Sequence, residues 1–114
     1  MPTKSFKELL VWQKAKNLAV EIYRLTNQFP KSELYGLTNQ MRRAVVSIFS
    51  NIAESYNRFH DKEKKQFISI SYGSGSELES QLEISKSLFP ELDYQKSDEL
   101  LTEVMKLLNK FLHC

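Results

Sequence analysis

Two stripes with the same helical period run along residues 35–58, YGLTNQMRRAVVSIFSNIAESYNR. Met41, Ala44, Val45, Ile48 and Ile52 recur at helical spacing and make an apolar stripe. Arg43, Ser47, Ser50, Asn51, Glu54 and Arg58 repeat the pattern with polar side chains. A helix that only filled a core would need the first stripe alone, so the second points to a specified polar surface.

The rest of the chain is compatible with helix almost throughout. Its 114 residues are enough for one domain, residues 1–114, that buries roughly two thirds of the surface of its unfolded chain. Charged residues make up 26% and hydrophobic ones 41%, an ordinary soluble balance that excludes a disordered chain. With three glycines and three prolines there is little turn chemistry for an all-β fold. A net charge of +2 is too small to announce nucleic-acid binding by itself, so any such function must come from clustering. The lone cysteine, Cys114, fits a reducing compartment, and no apolar run reaches the ~20 residues of a membrane span. MPTKSFKELL has no signal-peptide core, so a cytoplasmic protein is expected.

Four helical patterns follow one another. The first comes after Ser5 and carries Val11, Ala15, Leu18, Ile22, Leu25 and Phe29 on one face until Pro30. Ser32 is a plausible N-cap for the second, which extends to about Phe59; Asp61 can cap the third, starting at Lys62. The third turns Phe67, Ile70, Ser71, Ser74, Leu78, Leu82, Ser85 and Leu88 inward and stops near Pro90. The fourth begins between Tyr94 and Ser97 and buries Leu100, Leu101, Val104, Leu107, Leu108 and Phe111. Short connections force sequential helices to run antiparallel, which gives an all-α, up-down-up-down four-helix bundle. Ser71, Ser74, Gly75 and Ser85 put small side chains where leucine is usual. A tight helix-helix contact explains them better than a ligand cavity.

On the second helix Val46, Phe49, Ala53 and Tyr56 widen the apolar arc to about 200°, more than one bundle face requires. Burial against a neighbouring subunit is expected, the bland counterpart being that the chain's own termini cover Phe49 and Val46. Arg42 falls inside this arc. It can lay its stem on apolar surface and hold its guanidinium toward a carboxylate, which makes Arg42, Val46, Phe49, Ala53 and Tyr56 the candidate oligomer interface. Arg43 suits a phosphate, or a network with Asn51 and Glu54; a solvated or internally paired charge is the equal alternative.

Enzyme chemistry finds little to work with. His60 and His113 stand beside helix ends without metal-ligand spacing, so no metal is expected. Gly73-Ser74-Gly75-Ser76 sits mid-helix without a lysine at phosphate-loop spacing, and Cys114 has no neighbouring base; no cofactor and no catalytic residue are expected. Cations are better represented: Lys62, Lys64 and Lys65 cluster near Arg58, and Lys14, Lys16 and Arg24 lie on the first helix. With Arg43 these are the candidate nucleic-acid-binding residues, although a solvated helix face is a competing explanation.

The segment YGLTNQMRRAVVSIFSNIAE resembles the signature of the four-helix-bundle proteins related to the ribosomal-RNA intervening-sequence family, approximately YGLT-x-Q-x-RRAA-x-SIPSNIAEG. LLVWQKAKNLAVEIYRLTNQFPKSE and FISISYGSGSELESQLEIS resemble that family's first and third helices, so the likeness covers nearly the whole chain. Phe49 stands where the family usually has proline and Ser55 where it usually has glycine; the first change should straighten the helix. The resemblance implies an antiparallel bundle assembled into a ring-like homopentamer, and kinship with accessory proteins of diversity-generating retroelements that bind nucleic acid and a reverse transcriptase. It implies no settled biochemical activity. The expected function is a non-enzymatic nucleic-acid or ribonucleoprotein accessory module, with RNA or DNA as partner and no membrane; the alternative is a protein-protein scaffold.

Overall fold

A computed structural model of the chain describes residues 5–113; Cys114 lies outside them. Four long helices make the architecture: α1 (Leu10–Thr26), α2 (Asn39–Tyr56), α3 (Asp61–Leu88) and α4 (Gln95–Leu112). Cross-helix pairs give their directions. Arg42 reaches Thr26 while Phe49 meets Trp12, so α2 descends as α1 rises. Ser71 bonds Ile48 and Ser85 meets Met41. Lys86 pairs with Asp98 at one end of the α3–α4 seam, and Gly75 packs on Met105 further along it. Lys14 pairs with Glu103 and Lys96 with Glu21, closing the square between α4 and α1. All four seams are antiparallel, which is the expected up-down-up-down bundle. At 28 residues α3 is about 42 Å long and spans the 44 Å long axis. Among the described residues no helix is long and apolar enough to cross a membrane.

The core is the apolar stripe of each helix brought together. Leu18 and Ile22, Met41, Val45, Ile48 and Ile52, Leu78 and Leu82, and Val104 and Leu108 are almost completely buried. The α2–α3 seam is held differently. Ser71 is fully buried, and its hydroxyl donates across the seam to the Ile48 carbonyl at 2.7 Å. A side chain that short reaches a neighbouring helix's backbone only when the two backbones lie close, so the small residues of α3 do mark a tight helix-helix contact. Gly75 does the same toward α4, where an added Cβ would collide with the Met105 sulfur.

Several boundaries differ from the sequence expectation. Ser5 caps only a 3-10 turn, Phe6–Glu8, because Leu9 is extended; α1 starts at Leu10. It ends at Thr26, three residues before Phe29, which stays buried beyond the helix by packing on Phe89. The second helix does not begin at Ser32. A 3-10 turn, Lys31–Glu33, and a wide turn, Leu34–Thr38, precede it, broken at Gly36 (φ −108°, ψ −112°). Glu33, not Ser32, supplies the capping carboxylate, accepting from the Leu37 amide at 3.4 Å. At its other end α2 stops at Tyr56 rather than Phe59, and Phe59 is 95% exposed. Asp61 is the first residue of α3 and not its cap, His60 being the extended residue before it; the Asp61 charge still faces the helix N-terminus. On α3 the buried line is Ile68, Ser71, Gly75, Leu78, Gln81, Leu82 and Ser85, while Phe67 and Ser74 are only partly buried and Ile70 and Leu88 lie half in solvent. On α4, Leu107 is partly buried and Phe111 exposed.

The two kinds of small residue on α3 separate in a stability test. Nothing stands within 4 Å of a Cβ at Gly73, so Gly73→Ala should stabilise by about 0.5–1 kcal/mol in urea unfolding. Ser71→Leu forces α2 and α3 apart and should cost about 1–3 kcal/mol. Equal tolerance at both positions would mean that the α2–α3 seam is not closely packed.

Candidate nucleic-acid interface

Helix α2 places its two arginines on different sides because consecutive residues are turned by about 100°. Arg42 points toward α1. Its Nε donates to the Thr26 hydroxyl at 3.0 Å, its Nη2 to the Tyr23 carbonyl at 3.4 Å, and its guanidinium carbon lies 4.6 Å from the Tyr23 ring centroid. Among the described residues it therefore meets a hydroxyl, a carbonyl and an aromatic face rather than a carboxylate. Arg43 is exposed and, among the described residues, has no carboxylate within ion-pair distance.

The polar stripe on α2 is largely consumed by its surroundings. Ser74 of α3 donates to the Ser47 hydroxyl at 2.8 Å, and Asn51 bonds the Ser47 carbonyl and hydroxyl at 2.8 and 3.1 Å. Glu54 pairs with Arg58 one turn later at 2.8 Å. Arg58 also lies over Phe67, 4.7 Å from its centroid, so its stem is packed into the α2–α3 corner. Arg43, Ser50 and Glu54 are the exposed members of the stripe, and of these Glu54 is held in its ion pair with Arg58.

The wide apolar arc is covered in part by the chain's own beginning. Phe6 stacks edge-on against Trp12 at 5.2 Å, and Trp12 against Phe49 at 6.3 Å, so Phe49 lies under an aromatic line from the N-terminal turn. Ala53 and Tyr56 are also half-buried, whereas Val46 is 36% exposed. The helix runs through Phe49 without a break. Ser55 is buried and turns its hydroxyl back to the Ile52 carbonyl, satisfying itself locally.

The candidate cations do not make one patch. Arg43 lies in the second turn of α2 and Arg58 beyond its end, about 20 Å or more away along the helix axis. Lys14 is tied to Glu103 at 2.8 Å and Arg58 to Glu54, while Arg24 is loosely paired with Glu21 at 3.8 Å. Among the described residues Lys62 and Lys64 have no carboxylate within ion-pair distance, but Asp61 and Glu63 flank them, and Lys65 has an interaction partner of its own. The α1–α2 side is more one-sided. Those two helices carry five Lys or Arg against two acids, whereas α3 and α4 carry seven against eight. Lys16, Arg24 and Arg42 border a hollow floored by Ala19, Val20, Val46 and Phe49. A second hollow adjoins it, bordered by Asn39, Arg43 and Ser47, and Tyr23 and Arg42 stand between the two.

Tyr23, 43% exposed, was missed by reading only the core face of α1. Lys16, Val20, Tyr23 and Asn27 repeat at four-three-four spacing, the same periodic signal that identified the core.

A model of the family described as 23S rRNA-intervening sequence protein matches residues 7–110. The chain belongs to that family. No curated protein gives a significant match. The incompletely filled seam between α1 and α2 is bordered by Lys16, Arg42 and Arg43, which have no carboxylate within ion-pair distance among the described residues.

The two adjacent arginines should respond differently to removal. Arg42→Ala deletes a stacked, doubly bonded side chain and should cost about 1 kcal/mol or more in chemical unfolding. Arg43→Ala, on the open surface, should stay within about 0.5 kcal/mol of the parent protein. The reverse order would contradict this placement of the two side chains.

Proposed function

We propose that this protein is a non-enzymatic, oligomeric accessory module that binds RNA. The observation that carries the reading is the concentration of Lys16, Arg42 and Arg43, none held by a carboxylate among the described residues, on the α1–α2 side of a chain whose family is described by an rRNA intervening sequence. Phosphates attract such a surface through counterion release, and repetition of the patch in an oligomer multiplies a weak contact. The homopentamer implied by the family resemblance belongs to this proposal, as does a role inside the cell beside nucleic acid.

A scaffold role is supported by a separate feature. Ile70, Ile84 and Leu88 lie on the outer face of α3, each about half exposed, with Gly73 leaving the surface flat between them. A second copy of the chain gains apolar burial there, while Phe49, Ala53 and Tyr56 already spend much of theirs inside the protomer.

Two measurements test these readings. Fluorescence anisotropy with a structured RNA should show affinity falling roughly a hundredfold between about 50 and 200 mM salt, as about four phosphate contacts require; no salt-sensitive binding would remove the RNA role. In light scattering at micromolar protein, the parent chain should be oligomeric and the double change Ile70→Glu, Ile84→Glu should shift it toward monomer. A parent monomer would sink the assembly proposal.

A further inference from the structure

We infer that the α1–α2 hollow receives an unpaired nucleotide of single-stranded RNA, its base stacked on Tyr23 and its flanking phosphates met by Lys16, Arg24 and Arg43; this rests on the RNA-binding reading above. Among the described residues Tyr23 is the aromatic ring that borders both hollows, and it stays 43% exposed between them. Its ring is already held in place. Arg42 lies 4.6 Å from the ring centroid and is itself fixed by the Thr26 hydroxyl, so little side-chain freedom is lost when a base arrives. The floor of Ala19, Val20 and Val46 is apolar and suits a base plane. Arg24 is 67% exposed at its side chain and only 3.8 Å-paired to Glu21, so it can turn to a phosphate.

Charge chooses the occupant. Two copies of this seam facing each other would bring like charges together, which disfavours a symmetric self-contact. An anionic partner with flat, stackable groups satisfies both the rim and the ring, and single strands offer such groups where duplexes hide them. The exposed Phe59 beside Lys62 and Lys64 is a weaker site, because Asp61 and Glu63 share its surroundings.

The test is fluorescence anisotropy of a labelled short oligouridine against the full chain, with an RNA duplex alongside. Tyr23→Phe should bind the oligouridine like the parent protein, and Tyr23→Ala about tenfold more weakly or worse, with unchanged helical content by circular dichroism. Val46→Glu, which puts a carboxylate on the floor, should lose single-strand binding as well. If the parent binds oligouridine and Tyr23→Ala equals it, the inference fails while the RNA role stands. If the parent binds neither RNA, both fail. Competition by oligoglutamate as strong as by unlabelled oligouridine would overturn the inference in favour of an acidic protein. Loss of the oligomer on Val46→Glu with RNA affinity intact would overturn it in favour of a second copy of the chain.

Discussion

The close approach of α2 and α3, marked by the hydrogen bond from the Ser71 hydroxyl to the Ile48 carbonyl, is the constraint that decides what the polar stripe of α2 becomes. That bond can form only where α2 and α3 approach with nothing larger than serine between them. Once that pair is drawn together, the neighbouring polar groups are drawn in as well, and Ser47, Asn51 and Ser74 satisfy one another at the edge of the contact. A polar stripe that reads as a binding surface in the sequence thereby becomes part of the packing. Buried hydroxyls left without partners would be costly, and here each of these has one.

The α1–α2 seam is filled on the opposite principle. Large side chains close it from both ends: the Phe6, Trp12 and Phe49 rings at one, the Arg42–Tyr23–Thr26 cluster at the other. Between them stand Ala19, Val20 and Val46, too short to complete the surface. The hollow is thus a product of residue size and not of any special backbone. Its rim is cationic because α1 and α2 are short of acids, and the nearest one, Glu21, is shared between Arg24 and Lys96.

The sequence was most legible where periodicity is local. The core stripe of α2 from Met41 to Ile52 and that of α1 from Val11 to Leu25 are both buried as their spacing implies. Over the 28 residues of α3 the same reading fails at single positions: Ile70 was placed inside on hydrophobicity, but Ile68 holds that place and Ile70 stands 200° away. The break before α2 was hidden because Gly36 lies inside an otherwise acceptable helical pattern. Partners of the charged residues were legible only when near in chain. Glu54 and Arg58 are one turn apart and could be paired from spacing; Lys14 and Glu103 come from the first and last helices and could not.

Charge shows why a whole-chain value is a poor guide to this fold. A net +2 looks unremarkable, yet sequential helices in a closed square place α1 with α2 on one side and α3 with α4 on the other. The surplus of cations belongs to the first pair and the slight surplus of acids to the second. Averaging over the chain cancels a difference that topology keeps apart. An anion approaching the α1–α2 side meets helices that carry five cations against two acids, and at physiological salt, where screening acts over about 8 Å, that local balance is the one that matters.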